Sequence, residues 1–264
     1  MLDDLARIAR DAGAAILEHY AAPIPVETKA DDSPLTAADL AAHRVIAAGL
    51  ATLAPDIPVL SEEGGMPDFA VRSGWARYFL VDPLDGTKEF LKKNGEFTVN
   101  IALIENSRAT RAVVHAPALG GTTWAGDVST GAWREQDGRR ETIRTAALPA
   151  VWRTLVSRSH RSGDVEALLA RCPPHEPIAA GSSLKFCRIA EGAADFYPRL
   201  APTSEWDTAA GQCVLEAAGG AVLGMDAQPL RYNTKADILN PWFIAASTAN
   251  YDWAALLDGA TSGA

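Results

Sequence analysis

One short segment, which starts at Leu80, constrains the fold of this chain more than any other: it reads LVDPLDGTKEF. The residues that lead into it are apolar and rich in β-formers, so 77–81 are expected to form a buried strand. Because Pro83 cannot continue a central strand, we expect this strand to stop near Asp82. Gly86 then permits a sharp turn. The chain should therefore bend directly after a buried strand.

Two carboxylates three positions apart, those of Asp82 and Asp85, give this bend a chemical interpretation. If Thr87 begins a short helix, both carboxylates, a bare carbonyl and a helix N-terminus face one point. Such an arrangement can hold a hard divalent cation together with a phosphate. Asp-Pro and Asp-Gly are also ordinary turn dipeptides, so a plain turn is an equally good interpretation of this segment alone.

Length and composition limit the classes of protein to consider. At 264 residues, with 48% hydrophobic and 22% charged residues, the chain is expected to be a soluble globular protein with one large core or two modest domains. No apolar run approaches the ~20 residues of a transmembrane helix, so no integral membrane segment is expected. The formal charge of −9 argues against nucleic acid as a partner.

The location in the cell is predicted from the cysteines and the N-terminus. The three cysteines are odd in number and far apart, so neither a disulfide framework nor a zinc site is expected, and a reducing cytoplasm fits best. The N-terminus lacks the basic and apolar regions of a signal peptide. Peripheral attachment to an inner membrane is compatible with this sequence, and no oligomeric state is predicted.

The order of predicted elements divides the chain into two parts. Helical periodicity predicts a helix over 2–20 and a second helix from Thr36 to about Ala54, and a largely antiparallel sheet follows. From about residue 148 onwards, predicted strands alternate with predicted helices, which indicates an α/β arrangement. We therefore expect an N-terminal α+β domain over 1–147 and a C-terminal α/β domain over 148–264.

Acidic side chains stand where several predicted elements end or begin. Glu62, with Glu63 beside it, follows a short strand, Asp82 and Asp85 follow the next strand, and Asp207 opens a predicted helix. Each has an ordinary alternative, such as a solvated loop acid or a helix N-cap. Together they form an all-oxygen ligand set, which selects Mg²⁺ or Mn²⁺. Clustered carboxylates repel one another, so bound cations are expected.

Two longer patterns contain these acids. Residues 82–87 read DPLDGT and match D-P-[ILV]-D-G-[ST], and residues 206–211 read WDTAAG and match W-D-x-[ATGS]-[AG]-G. With SEE at 61–63 and TAAD at 36–39, the chain resembles the lithium-sensitive, magnesium-dependent sugar phosphatases of the inositol monophosphatase superfamily. The resemblance implies a layered α/β fold, an αβαβα sandwich, with the site between two domains.

Further segments are most similar to bacterial 3′(2′),5′-bisphosphate nucleotidases of the CysQ type. These segments are KADDSP at 29–34, DGTKEF at 85–90, NGEFTVN at 94–100, SRSH at 157–160 and GSSLKFC at 181–187. The resemblance implies that a metal-activated water removes the 3′-phosphate of adenosine 3′,5′-bisphosphate to give AMP and phosphate. It makes 3′-phosphoadenylyl sulfate a further candidate substrate.

The resemblance also implies roles for single residues at the metal centre. Two or three Mg²⁺ ions, with Mn²⁺ as an alternative, would be held by Glu62, Asp82, the Leu84 carbonyl, Asp85 and Asp207. Asp82 would bridge two of the ions. The metal would lower the pKa of a water, orient it for attack and neutralise the phosphoryl oxygens.

The catalytic group implied by the resemblance is Thr87, oriented by Asp39, which would help to deprotonate that water. Backbone N–H groups of Gly86 and Thr87 would hold the scissile phosphate, and Glu63 would act near the second ion. Asp39 has an ordinary alternative, since Thr36 and Asp39 resemble a helix capping box. The two roles of Asp39 are compatible.

A nucleotide with two phosphates needs a second anion pocket. By resemblance its residues are His160, Ser182, Lys185 and Arg199, while Leu84, Asp85, Gly86, Thr87 and Asp207 would contact substrate at the metal centre. The alternative for Lys185 is a solvated position on a predicted helix, and for Arg199 a surface charge on a loop. Without these contacts the chain would be an inositol monophosphatase or a fructose-1,6-bisphosphatase. A non-catalytic nucleotide or metal sensor is the alternative of another class.

Overall fold

The computed structural model describes residues 1–21, 26–28, 34–157 and 163–258. The helices are α1 Leu2–Tyr20, α2 Ala37–Leu53, α3 Phe69–Arg72, α4 Thr87–Leu91, α5 Gly163–Leu169, α6 Leu184–Ala190, α7 Glu205–Ala217 and α8 Trp253–Leu257. The strands are β1 Val26–Thr28, β2 Pro34–Thr36, β3 Val59–Ser61, β4 Arg77–Asp85, β5 Thr98–Glu105, β6 Arg108–Ala116, β7 Thr122–Asp127, β8 Gly131–Gln136, β9 Arg139–Ile143, β10 Trp152–Ser157, β11 His175–Ala180, β12 Phe196–Arg199, β13 Ala221–Gly224 and β14 Phe243–Ala246.

Two large sheets organise these elements. The first has seven strands in the order β3-β4-β5-β6-β7-β8-β9, in which only β3 and β4 are parallel. The second has five strands in the order β11-β10-β12-β14-β13, with β10 parallel to both of its neighbours. The largely antiparallel first half and the α/β second half are confirmed.

The sheets and helices stack in five layers. One core lies between the pair α1 and α2 and one face of the seven-stranded sheet. A second core lies between the other face of that sheet and the five-stranded sheet, and α6 and α7 contribute to it. A third core joins the five-stranded sheet to α5 and α8. The predicted αβαβα sandwich is confirmed.

Helix α1 approaches the first sheet closely because residue 13 is glycine. A Cβ atom on Gly13 would lie 2.6 Å from the imidazole Cδ2 of His115 in β6. The His115 ring is buried, and its Nδ1 lies 2.9 Å from the hydroxyl of Thr123. Burial, with a smaller contribution from Arg10, lowers the pKa of His115 to about 4. His115 is therefore a neutral core residue.

Strand β4 does not stop near Asp82, and that expectation is wrong. It continues to Asp85 across a register shift, since Asp82 pairs with Asn100 and Asp85 pairs with Thr98. Two residues of β4 thus face one residue of β5, which is the geometry of a bulge. Pro83 lies inside the bulge, where its missing N–H is not needed for the ladder. The bend occurs after Asp85 instead.

Helix α7 begins earlier than the sequence suggests. Its first residue is Glu205, and its N-cap is Ser204 rather than Asp207. Asp207 occupies the third helical position and accepts the Ser204 N–H at 2.9 Å, which completes a capping box. The interpretation of Asp207 as a plain N-cap is therefore wrong, because the capping box places its carboxylate one turn further along the helix.

The boundary predicted between 147 and 148 falls in the connection between Ile143, the end of β9, and Trp152, the start of β10. It stays a prediction, because α7 follows this connection in the chain and yet packs against both sheets. Among the described residues, no helix is both long enough and apolar enough to cross a bilayer.

Candidate active site

The parallel pair β3 and β4 brings two predicted ligand segments side by side. Ser61 pairs with Val81 in the ladder, and the N–H of Glu62 donates to the Val81 carbonyl at 3.1 Å. Glu62 therefore leaves β3 directly beside Asp82 of β4. The pairing of β3 with β4 thus brings the acid that follows β3 beside an acid within β4. Glu63 lies next along the same turn and is half-buried.

Asp85 is held by a residue that sequence reasoning did not single out. The N–H and the hydroxyl of Ser183 lie 2.6 Å and 2.8 Å from the same Asp85 Oδ2. The Ser183 hydroxyl is also 2.9 Å from the backbone carbonyl of Asp207. Asn100 donates its Nδ2 to the Ser183 hydroxyl at 2.8 Å. Ser183, which precedes α6, thus joins the β4 bend to α7.

The bend after Asp85 requires glycine at position 86. Gly86 has φ = 94°, in the left-handed region, and is the N-cap of α4. A Cβ atom there would lie 3.1 Å from the carbonyl oxygen of Glu96 and 3.2 Å from the Cβ of Ser182. The segment that contains Ser182 and Ser183 therefore packs closely on the bend. N–H groups in the first turn of α4 are not used by the helix itself.

Thr87 and Asp39 are brought together from residues far apart in the sequence. The Thr87 hydroxyl lies 3.5 Å from Asp39 Oδ1 and 3.5 Å from the Leu84 carbonyl. The other oxygen of Asp39, Oδ2, accepts the Thr36 N–H at 2.9 Å and the Thr36 hydroxyl at 2.5 Å. Asp39 caps α2 with one oxygen and faces Thr87 with the other.

The acids at the site perturb one another strongly. Asp82 is buried, and its pKa is raised well above the usual range by burial first, and then by the charges of Glu62, Asp85, Asp207 and Asp39. The pKa of Asp207 is raised mainly by burial and then by Asp85. Carboxylates that disfavour one another's charge are stabilised by a bound cation.

The donor set fits a hard divalent cation by its chemistry. All of its groups are oxygens, and neither cysteine nor histidine is among them. Across the described ranges, no three His, Cys, Asp or Glu side chains are already gathered closely enough to hold a metal ion. Asp82, Asp85 and Asp207 each accept a backbone N–H with one carboxylate oxygen, which holds the carboxylate in place and leaves its second oxygen available to a cation.

A cavity beside these acids is lined by three cationic side chains, those of Lys88, Lys185 and Arg199. It is lined by residues that include Asp85, Gly86, Ser182, Lys185, Arg199 and Asp207. Lys185 is buried, with its Nζ 2.7 Å from the Ser182 carbonyl and 5.1 Å from the centroid of the Tyr197 ring. Burial lowers the pKa of Lys185 to about 8. Lys185 is therefore not the solvated side chain of the alternative interpretation.

Arg199 stands near Lys185 in this cavity. One of its guanidinium nitrogens donates to the Pro202 carbonyl at 2.9 Å, while its Nε is buried and has no hydrogen-bond partner among the described residues. Within the described residues, neither Lys185 nor Arg199 forms a direct salt bridge with a carboxylate. The cavity thus combines the cations Lys185 and Arg199 with the acids Asp85 and Asp207, a set that can bind an anionic ligand together with a metal cation.

Two predicted residues keep untested roles, and one residue of the site was not predicted. His160 lies outside the described residues, together with most of the KADDSP segment. Glu63 is near the acids, but its role stays a prediction. Ser183 was missed as a candidate, although it lies inside the GSSLKFC segment, because its carboxylate partner is 98 residues away.

Comparisons with known proteins agree with this geometry. The profile of the inositol monophosphatase family matches residues 2–257. The chain belongs to the inositol monophosphatase family. Members of this family are metal-dependent, typically on Mg²⁺, which agrees with the all-oxygen donor set.

Within the inositol monophosphatase family, the chain is similar to several bisphosphate nucleotidases. It is 50% identical over 247 residues to the 3′(2′),5′-bisphosphate nucleotidase CysQ of Shigella flexneri, a match that covers 92% of this chain and 98% of the relative. It is 49% identical to CysQ of Escherichia coli K12 with the same coverage. CysQ of Haemophilus influenzae is 34% identical over 256 residues, or 96% of this chain and 95% of that relative.

Solved structures of the family share the fold. CysQ from Bacteroides thetaiotaomicron superposes with a TM-score of 0.80 at 42% identity and covers 93% of this chain and 96% of its own. An inositol monophosphatase from Thermotoga maritima gives a TM-score of 0.78 at 25% identity, with 98% and 97% covered. The sandwich is common to both branches, so it does not discriminate between their substrates.

Proposed function

We propose that this chain is a Mg²⁺-dependent 3′(2′),5′-bisphosphate nucleotidase that converts adenosine 3′,5′-bisphosphate to AMP and phosphate. The observation that carries this proposal is the cavity in which the carboxylates of Asp85 and Asp207 adjoin Lys185 and Arg199. A substrate with two phosphates fits such a cavity, because one phosphate can reach the acids through metal while the other pairs with the cations. The identity of about 50% to CysQ nucleotidases supports the same substrate.

The oxygens of Glu62, Asp82, Asp85 and Asp207 and the carbonyl of Leu84 would hold the metal. Bound there, Mg²⁺ supplies an activated water and neutralises charge on the transferring phosphoryl group. Three elements position these oxygens: β3, which Glu62 follows, β4, which contains Asp82, Leu84 and Asp85, and α7, which contains Asp207. Ser183 fixes Asp85, and the capping box fixes Asp207. We propose two or three ions, with Glu63 near the second.

Thr87 and Asp39 would move the proton of the attacking water. The Thr87 oxygen accepts a hydrogen bond from the water while its own O–H donates towards Asp39 Oδ1, now 3.5 Å away. Catalytic hydrogen bonds that are long without substrate commonly shorten when it binds. The N–H groups of Gly86 and Thr87 hold the scissile phosphate at the first turn of α4.

Lys185 and Arg199, with Ser182 beside them, would bind the second phosphate. A phosphate there would raise the pKa of Lys185, which burial lowers to about 8, and so stabilise its charged form. Because this contact lies away from the reacting bond, 3′-phosphoadenylyl sulfate is a further substrate that the cavity could accept. The free cysteines Cys172, Cys187 and Cys213 are compatible with action in a reducing cytoplasm.

The test is a phosphate-release panel with Mg²⁺ on four substrates: adenosine 3′,5′-bisphosphate, 3′-phosphoadenylyl sulfate, inositol monophosphate and fructose 1,6-bisphosphate. We expect the adenosine bisphosphate to have the highest kcat/KM and EDTA to abolish its hydrolysis. Faster hydrolysis of inositol monophosphate would assign the chain to the inositol phosphatases. Tight nucleotide binding without any phosphate release would assign it to the sensors.

A further inference from the structure

Arg72, in α3, is fully buried although it is a charged residue outside the candidate site. Its side chain is 1% exposed, and it leaves the first half of the chain to contact the segment 233–236 of the second half. One guanidinium nitrogen donates to Oδ1 of Asn233, and another donates to the carbonyls of Ala236 at 2.5 Å and Lys235 at 3.3 Å. A buried guanidinium with three acceptors is a fixed contact rather than a surface charge.

Asn233 hydrogen-bonds both to Arg72 and to the first residue of α7. Its Nδ2 donates to the Arg72 carbonyl at 2.5 Å, so the two residues hold each other reciprocally. Its backbone N–H donates to Oε2 of Glu205 at 2.9 Å. Glu205 is the first residue of α7 and stands two positions before Asp207. The backbone N–H of Glu205 in turn donates to the Ile238 carbonyl at 2.9 Å.

Arg72 belongs to the connection that begins with Glu62. At its start the Glu62 N–H bonds to the Val81 carbonyl of β4, and near its end the Trp75 N–H donates to the Arg72 carbonyl at 3.0 Å and closes a local turn. The pair Arg72 and Asn233 therefore joins the segment that carries Glu62 to the helix that carries Asp207. These two acids come from opposite halves of the chain, and nothing local in sequence sets their separation.

We propose that Arg72 and Asn233 are positioning residues that hold the Glu62 and Asp207 sides of the metal site together across the two halves. This inference rests on the proposed function, since Glu62 and Asp207 are metal ligands only there. It assigns to these two residues a contribution to Mg²⁺ affinity that is separate from substrate binding. Removal of a residue that hydrogen-bonds a metal ligand commonly lowers metal affinity by about 10–100-fold, and because Arg72 and Asn233 act one contact further away, we expect the lower end of this range.

Two variants and one matched control test this proposal. Arg72→Lys keeps the charge but cannot reach all three acceptors. Asn233→Gly removes the side-chain bonds but keeps the N–H to Glu205, and glycine tolerates the backbone there, since Asn233 has φ = 58°. The control is Arg153→Lys, because Arg153 makes a comparable bidentate contact with the buried Asp195, at 2.6 Å and 2.9 Å, within the second sheet.

The readouts are Mg²⁺ binding by calorimetry without substrate, amide hydrogen exchange of residues 205–210 without metal, and the melting temperature. We expect Arg72→Lys and Asn233→Gly to weaken Mg²⁺ binding about tenfold and to speed exchange in the first turn of α7, while KM for the nucleotide stays within twofold. Arg153→Lys should lower the melting temperature and leave Mg²⁺ binding and this exchange unchanged.

Mg²⁺ binding as tight in both variants as in the unmodified chain would overturn the proposal and leave the proposed function standing. An equal loss of Mg²⁺ affinity in Arg153→Lys would also overturn it, because general destabilisation would then be the cause. If the unmodified chain did not bind Mg²⁺ at all, the proposed metal site itself would fail, and the positioning role with it.

Discussion

Ser183 bonds to Asp85 twice, since its backbone N–H and its hydroxyl both lie within 2.8 Å of the same carboxylate oxygen. The residues are 98 positions apart and belong to different halves of the chain. A carboxylate that two donors orient is already in its ligating geometry before the metal binds. Ser183, a residue of the second half of the chain, therefore sets the orientation of the Asp85 carboxylate, a proposed metal ligand in the first half.

The first prediction follows from the hydroxyl of this contact. In Ser183→Ala the N–H bond to Asp85 remains, but the hydroxyl bonds to Asp85 and to the Asp207 carbonyl are lost. We expect the Mg²⁺ concentration for half-maximal activity to rise about tenfold, and the free energy of unfolding to fall by about 1 kcal/mol. Mg²⁺ titration of the phosphatase rate and urea unfolding measure the two effects.

Ser129→Ala is a matched control for this prediction. Ser129 also donates both its N–H and its hydroxyl to one carboxylate oxygen, that of Asp127, at 2.9 Å and 2.5 Å. That pair is remote from the candidate site, so its loss should leave the Mg²⁺ titration unchanged. If the two serine variants shifted the titration equally, Ser183 would have no special part in orienting Asp85.

Apart from the pairing of Thr87 with Asp39, which the family resemblance implied, the contacts that the sequence predicted are encoded by a local pattern. The capping box of Thr36 and Asp39 is spaced by three residues, and helix α1 has the predicted bounds because its apolar positions recur at helical spacing. The long contacts have no such signal. The partner of Ser183, and the reciprocal bonds between Arg72 and Asn233, depend on which surfaces the two sheets present to each other.

The course of β4 shows a different limit of sequence reasoning. The prediction that the strand stops near Asp82 rested on the missing N–H of Pro83, which is a sound local argument. It failed because the register shift opposite Asn100 removes the need for that N–H. A bulge is a property of two paired strands, so one strand read alone does not reveal it.

The second prediction concerns the proton path at Thr87. Thr87→Ala removes the hydroxyl that faces Asp39 Oδ1 and leaves the capping oxygen Oδ2 untouched. We expect kcat to fall by about 10²–10⁴-fold, the range for loss of a positioned acid or base group, with little change in nucleotide affinity. Steady-state kinetics and calorimetry with the nucleotide check the two halves of this expectation.

Thr36→Ala provides the opposite case. It removes the cap of α2, so we expect the free energy of unfolding to fall by about 1 kcal/mol, while kcat changes far less than in Thr87→Ala. Equal losses of kcat in the two threonine variants would mean that Asp39 acts through the stability of α2 and not through Thr87.

The third prediction separates the two anion sites. Lys185→Met keeps much of the buried aliphatic volume and removes the charge from the cavity. We expect KM for adenosine 3′,5′-bisphosphate to rise at least about tenfold, since a charge-assisted contact contributes about 1.5–3 kcal/mol. The rate on inositol monophosphate, which has one phosphate, should change little. Competition between the two substrates in one assay measures the difference directly.

Arg188→Ala is the control on the same helix. Arg188 is exposed on α6 and pairs with Glu191 at 2.8 Å, away from the cavity. It should leave KM for both substrates within twofold. A rise in KM that was the same for both substrates in Lys185→Met would argue that Lys185 serves the metal centre rather than a second phosphate.

The fourth prediction is a pH dependence of stability that originates at His115. Its pKa is about 4 in the folded chain and about 6.5 when unfolded, so the unfolded chain binds the extra proton first as the pH falls. The stability from the neutral ring is complete above pH 6.5 and declines towards pH 4. Between pH 8 and pH 5 this group alone should remove about 2 kcal/mol.

Urea unfolding of the unmodified chain and of His115→Gln at pH 8 and pH 5, both with EDTA, measures this contribution. Glutamine keeps a polar partner for the Thr123 hydroxyl but does not titrate. It fills the space beside Gly13 less completely than the imidazole ring does. We therefore expect His115→Gln to be the less stable protein at pH 8 and the gap to narrow by about 2 kcal/mol at pH 5. A gap that stayed constant across this range would show that His115 is protonated alike in both states, and that its burial does not govern its charge.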